Sequence, residues 1–160
     1  MKTSFTVRNR QRLRRINAQL LREFLAAALA ELDISAESEI CFHLVNAPEM
    51  ARINLQFLQH EGSTDVITFD HTEQPPHPAS SCGLRFLHGE IFICVADALV
   101  QAGEFRTTWQ SELVRYAVHG LLHLLGHDDL QSTARRKMKK EEDRVMRRLA
   151  KRFPLPRLAR

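Results

Sequence analysis

The 160-residue sequence predicts one α+β domain, with an α/β arrangement around a small sheet as the alternative. Three observations lead there. Runs with helical apolar spacing are interspersed with short β-branched runs, so helices and strands mix along the chain. No internal repeat or domain boundary divides residues 1–160. Apolar residues make up 44% and charged residues 26%, a globular balance. A chain of this length buries roughly 70% of the surface its unfolded form exposes, enough for a core without disulfide staples.

The elements follow in order. Phe5 to Val7 reads as a short opening strand. From Ile16, apolar residues recur at Leu20, Leu21, Phe24, Leu25, Ala28, Leu29 and Leu32, the spacing of a helix with one apolar face. Ile40 to Val45 is rich in β-formers and reads as a buried strand. Asn46-Ala-Pro-Glu49 has the form of a helix start, with Asn46 as cap, Pro48 in the first turn and Glu49 at the capping-box position. That helix is expected to turn Met50, Ile53 and Phe57 inward and to break at Gly62.

Thr64 to Phe69 is a second strand, and 71–83, with three prolines and a glycine, is a loop. Leu84 to Val95 holds strand material on both sides of His88-Gly89, where the glycine suggests a bulge or hairpin turn. Ala96 to Ala102 is a short helix stopped near Gly103. A long helix runs from about Thr108 to Leu125, with Leu113, Tyr116, Ala117, Leu121 and Leu124 inward and Gly126 placed for a left-handed end. The last helix runs from about Ser132 to Lys151, before Pro154.

Composition narrows the function classes. Cys41, Cys82 and Cys94 are odd in number and lack a CxxC pair, which indicates neither a disulfide framework nor a cysteine zinc site. A reducing compartment follows. The N-terminus has no apolar stretch behind its basic residues, so no signal peptide is visible. The longest apolar stretch, Phe24 to Ala30, is too short to span a bilayer. The expectation is a soluble, cytoplasmic protein.

The net charge of +4 conceals an asymmetry: +7 over residues 1–22, −12 over 23–130 and +9 over 131–160. Two solvated helical faces are one reading. Ends that grip a polyanion such as RNA through phosphate contacts are the other. Arg135, Arg136, Lys139 and Lys140 on the last helix are the candidate RNA-binding residues.

Chemistry concentrates in His119-Gly-Leu-Leu-His123-Leu-Leu-Gly126-His127-Asp128-Asp129. Residues four apart on a helix share a face about 6 Å apart, so His119 and His123 can aim at one ion. Gly126 ends the helix, and the chain can turn back with a third ligand. In zinc hydrolases of the HExxHxxGxxH type that ligand stands ten residues after the first histidine, here Asp129. His127 is the rival. On a continuing helix it would lie about 12 Å along the axis from His119, at about 1.5 Å per residue, and three ligands so strung out converge poorly. Asp129 is therefore preferred. Zinc proteases carry a glutamate base directly after the first histidine, but this chain has Gly120 there, which argues against a metallopeptidase. Glu90 and Asp65 are weaker candidates: Glu90 as a carboxylate orienting a metal histidine or, equally, an exposed strand-end acid, and Asp65 as an acid near the site or the centre of a side-chain turn. His43 and His88 read as structural or surface residues, and Trp109 as a core residue rather than a base-stacking platform.

The metal segment resembles the signature of the YbeY family, bacterial ribosomal-RNA maturation factors and single-strand-specific endoribonucleases. Asn9-Arg-Gln-Arg12, Ile53-Asn54 followed by Thr64-Asp-Val-Ile-Thr-Phe69, Gly89-Glu-Ile-Phe-Ile-Cys94, and Glu112-Leu leading to Val118-His119 are similar to further family motifs, in the same order. The resemblance covers about residues 5–146. It implies a mixed four-stranded sheet packed with helices, one zinc ion per chain, and a role in small-subunit rRNA processing and ribosome quality control. Ribosomal RNA or ribosomal particles are the implied partners. The chain departs from the pattern twice: Asp129 stands where the family usually has histidine, and Leu58 where it usually has arginine. Arg52 and Arg85 are the cations available to replace that arginine. A ribosome assembly factor with little nuclease activity is the alternative that Leu58 favours.

Overall fold

The computed structural model describes residues 5–73 and 83–160. Among these, strands β1 (Phe5–Asn9), β2 (Glu39–Val45), β3 (Val66–Asp70) and β4 (His88–Cys94) form one sheet in the order β1-β2-β4-β3. β1 and β4 both run parallel to β2, and β3 pairs antiparallel to β4 at the edge. The helices are α1 (Ala18–Glu31), α2 (Ala47–Ile53), α3 (Val95–Phe105), α4 (Trp109–Leu124) and α5 (Ser132–Arg152). This is the mixed four-stranded α+β arrangement expected.

Strand alternation divides the core. Phe5, Ile40, Phe42, Leu44, Ile91 and Ile93 share one sheet face and join the apolar stripes of α1, α4 and α5 in the main cluster. The reverse face carries Val45, Ile67, Cys94 and Phe92, covered by Met50 and Ile53 of α2. β2, in the middle, is buried on both faces, which is why it reads as a near-continuous apolar run. Leu113, Leu121 and Leu122 of α4 are fully buried, and truncating such a leucine costs about 2–5 kcal/mol. Asn17, Asn46 and Thr108 cap α1, α2 and α4 through side-chain oxygens that accept from Leu20, Glu49 and Ser111 amides. Each cap contributes about 1 kcal/mol.

Several expectations need correction. Leu84 to Val95 holds one strand, not two flanking a turn. Gly89 is there for close approach: a Cβ would lie 2.6 Å from the Phe69 carbonyl oxygen on the neighbouring strand. α3 passes through Gly103 and ends at Phe105, with Arg106 in the left-handed region at φ 54°. Gly103 is solvent-exposed, and an exposed helical glycine costs only about 1 kcal/mol. After α2 the chain widens into a π-helical turn, Asn54–Leu58, and stops at Gln59 in a left-handed conformation, before Gly62. The wider turn carries Phe57 off the inward stripe, leaving it 57% exposed with its edge against Phe69. Asn54 is buried and donates to the Gly62 carbonyl at 2.9 Å, closing this segment. The strand expected over Thr64 to Phe69 is β3, Val66–Asp70. Residues 74–82 of the expected loop, with Cys82, lie outside the described residues.

Trp109 is half-buried against the main core. Gln11 is buried and organises the opening segment. Its Oε1 accepts from the Leu13 and Arg14 amides, and its Nε2 donates to Asn9 and to the Arg14 carbonyl. No helix among the described residues is long and apolar enough to cross a membrane.

Candidate metal centre

α4 sits close on β4 because Gly120 has no side chain. A Cβ at that position would lie 2.6 Å from Cγ2 of Ile91. The glycine that replaces a protease's base is thus buried against the sheet, and a glutamate there would have to displace the Ile91 side chain. On the flank of the same helix, His119 and His123 stand one turn apart with Nε2 atoms 3.0 Å from each other.

α4 ends in a Schellman turn. Gly126 takes φ +94°, its amide donates to the His123 carbonyl, and the His127 amide donates to the Leu122 carbonyl. The turn carries the chain back so that Asp129 Oδ2 lies 3.4 Å from His119 Nε2 and 3.6 Å from His123 Nε2. The three residues form a group able to hold a metal ion, with ligand atoms all within 4.8 Å of one another. Bonds of about 2.0–2.1 Å meeting at tetrahedral angles would separate ligand atoms by roughly 3.3 Å, which the three spacings bracket. His127 contributes its backbone instead: its carbonyl oxygen lies 3.2 Å from His123 Nδ1.

The outer contacts determine which lone pairs face the centre. A carbonyl only accepts, so His123 Nδ1 carries the proton. His119 Nδ1 lies 2.9 Å from Glu142 Oε2, a carboxylate, and likewise carries a proton. With both rings neutral, both Nε2 atoms are unprotonated and point at each other beside a carboxylate. Three acceptors without a donor repel one another unless a proton or a cation joins them.

Glu142 is the residue that sequence reading missed. It is buried, and Arg115 Nη1 donates to it at 2.7 Å, with Lys139 Nζ at 3.5 Å. Burial opposes its charge, but hydrogen bonds from His119 and Arg115 outweigh that and hold its carboxyl below the usual range. Burial also opposes charge on His119, and Glu142, with help from Asp65 and Asp129, holds that ring above its ordinary value. A signal was present. Met138, Glu142, Val145, Met146 and Leu149 form the buried stripe of α5, and an acid in an apolar stripe needs a partner.

The remaining candidates fall elsewhere. Glu90 bonds His43 and His71 on the reverse face of the sheet, away from the metal histidines. Asp65 forms a side-chain turn, accepting from the Val66 amide and Thr64 hydroxyl, while its charge still bears on His119. His88 is exposed, 3.8 Å from Glu39. Arg52 is exposed and 3.9 Å from Glu49. Of the four helix cations, Arg135 donates to the Asp129 and Leu130 carbonyls, and Lys139 pairs with Asp143 at 3.1 Å. Arg136 and Lys140 are exposed, without an ion-pair partner among the described residues.

Known proteins are similar to this chain in sequence. The profile of the family described as Endoribonuclease YbeY matches residues 6–150. The Salinibacter ruber protein of that name is 31% identical over 133 residues, 83% of this chain and 83% of the relative. The Elusimicrobium minutum one is 35% identical over 128 residues, 79% and 85% of the two chains. The Corynebacterium efficiens one is 32% identical over 126 residues, which span 77% of this chain but only 63% of that longer relative. The solution structure of a Thermotoga maritima protein superimposes with a TM-score of 0.62 at 22% identity, over 91% of this chain and 88% of the other, a likeness of fold. A profile match over nearly the whole described chain, together with relatives above 30% identity, places this protein in the Endoribonuclease YbeY family.

Proposed function

We propose that this chain is a zinc-dependent, single-strand-specific endoribonuclease of the cytoplasm, acting in small-subunit rRNA maturation and ribosome quality control. One zinc ion is held by His119, His123 and Asp129. The observation that supports this most is the convergence of two imidazole Nε2 atoms and a carboxylate, each ring braced from behind, in a member of an endoribonuclease family. When bound, such an ion supplies positive charge toward a scissile phosphate, or activates a water. Glu142 holds the His119 ring in register, and the His127 carbonyl does the same for His123. Arg135 ties down the turn that bears Asp129. Of the cations nominated from sequence, Arg136 and Lys140 are free to meet phosphates, while Arg135 and Lys139 serve the site's own architecture.

A second reading, a ribosome assembly factor with little nuclease activity, draws on Leu58. That residue is 47% exposed on the π-helical turn and offers no charge to a phosphate. A metallopeptidase is disfavoured by Gly120, which leaves no room for a base at that position.

Metal analysis of the purified protein, paired with cleavage of a single-stranded RNA oligonucleotide with and without chelator, separates these readings. The expected result is about one zinc per chain and cleavage that chelation abolishes. Full zinc occupancy with no cleavage would favour the assembly factor.

A further inference from the structure

We propose that a groove on the outer flank of α5 is a binding track for the backbone of single-stranded RNA, joined to the metal centre through the Gly126–Asp128 turn. This rests on the ribonuclease reading and extends it to a second site.

The groove has a volume of about 460 Å³ and lies between the His127 ring and a row of α5 side chains, Lys137, Lys140, Arg144 and Arg147. A second hollow, about 350 Å³, shares His127 and Lys137 and adds Arg85 and the Gly126–Asp128 turn. The row repeats at intervals of three and four residues, so it forms one stripe, about 15 Å long at 1.5 Å per residue.

Ion pairing divides the cations of α5, and within the stripe it sets Arg144 apart from the other three. Arg144 is bound to Glu141 and to the Glu31 carbonyl, and Arg148 lies 3.4 Å from Glu31. Arg135 and Lys139 are engaged at the metal side. Lys137, Lys140 and Arg147 have no ion-pair partner among the described residues. Of the two carboxylates that line the hollows, Glu141 is neutralised by Arg144, while Asp128, in the second hollow only, keeps its charge. Glu141 faces Arg144 at 2.9 Å, and Asp128 accepts from the Leu130 amide at 2.8 Å. Three cations in a row without ion-pair partners repel one another, and a polyanion relieves that repulsion.

The occupant is narrowed by His127. It is half-buried and lines the groove together with these cations. A flat ring among cations suits an unpaired base stacked between phosphate contacts, which a duplex does not present. An acidic protein segment would match the charge but not the ring. The His127 backbone holds the His123 ring, so the groove and the candidate metal centre share this residue.

The test compares wild type with the triple variant Lys137→Gln/Lys140→Gln/Arg147→Gln and with His127→Ala, in binding to a labelled single-stranded RNA twelve-mer across a salt series. Zinc content is measured alongside. Each phosphate contact to a single strand contributes about 0.7 to the slope of log affinity against log salt, so the triple variant should lose about 2 from that slope. Its affinity at low salt should fall roughly ten-fold or more, with zinc retained. His127→Ala should weaken binding roughly five-fold or more with an unchanged slope, and His127→Phe should restore it. An unchanged slope in the triple variant, while wild type binds RNA, overturns the groove alone. Wild type that binds no single-stranded RNA overturns the ribonuclease reading as well. A poly-glutamate peptide that binds as tightly as RNA, and is lost in the triple variant, would make this a protein-docking surface and overturn the RNA assignment.

Discussion

On the helical side of the molecule, Glu142 engages Nδ1 of His119 and leaves Nε2 open toward His123 and Asp129. On the reverse face of the sheet, Glu90 uses one oxygen on His43 Nε2 at 2.8 Å and the other on His71 Nε2 at 3.1 Å. Both clusters combine histidines with a carboxylate, and their connections are inverted. In the first, the acceptor stands behind each ring and the outer nitrogens converge. In the second, the carboxylate occupies the outer nitrogen, and His43 Nδ1 is buried with no partner among the described residues. Burial pushes His43 below its ordinary pKa despite Glu90, and its ring stacks on Phe92 at 4.2 Å. An imidazole becomes a ligand through what holds its other nitrogen, not through having an acid nearby.

Removing members of the two clusters should therefore give unequal results. His119→Ala, His123→Ala or Asp129→Ala should each empty the site of zinc at micromolar free metal, while His43→Ala and His127→Ala keep it. Metal analysis after dialysis decides this. A His127 variant that loses zinc while the Asp129 variant retains it would reverse the ligand assignment. Asp129→His should keep the metal, because both side chains suit zinc at about 2.0–2.2 Å.

Glu142→Gln removes no ligand, yet it takes away the charge behind His119. A zinc affinity about 10–100-fold weaker is expected by competition titration, the usual cost of losing an outer hydrogen-bond partner. Affinity equal to wild type would reduce Glu142 to a packing residue. Gly120→Ala acts a step further out, by pushing α4 off Ile91. Overpacking of this kind costs about 1–3 kcal/mol, and the melting temperature should fall by about 2–4 °C for each kcal/mol, with zinc still bound.

The mildest change is Glu90→Gln. The carboxylate is 37% exposed and the amide still offers an acceptor, so a loss of about 1 kcal/mol or less in urea unfolding is expected, with zinc content unaltered. NMR titration of the metal-free protein adds a sign to the contrast. His119 should titrate above the ordinary histidine value and His43 below it. Metal affinity should then fall as pH drops through the raised His119 value, because the proton and the ion compete for Nε2.

Much of the metal side was readable from local rules. The four-residue spacing of His119 and His123 needs only helical geometry, and Gly126 marks where the chain can reverse. The turn's exact partners were not readable, because His127 takes part through its carbonyl, and a carbonyl leaves no mark on sequence. Glu142 was obscured by the charge run Lys139-Lys-Glu-Glu-Asp-Arg144, where a buried acid resembles its solvated neighbours. Arg135 and Lys139 are surface cations in sequence and in structure, and only the tertiary structure shows them engaged, with the Asp129 carbonyl and with Asp143. The fold class followed from periodicity. Gly89 was misread because a glycine inside a strand pattern signals either a turn or a close approach, and the Phe69 carbonyl that decides between them belongs to another strand.

The hydrogen bonds that finish α4 are also part of the frame of the candidate metal centre. The amides of Gly126 and His127 close the last turn, and the peptide between His127 and Asp128 presents the oxygen that steadies His123. Fraying of that turn and loosening of the site are therefore one local event. A bound ion draws the opening equilibrium back by mass action, so these two amides should exchange with deuterium more slowly as metal is added. Hydrogen exchange at a helix end thus becomes a gauge of occupancy that needs neither substrate nor catalysis.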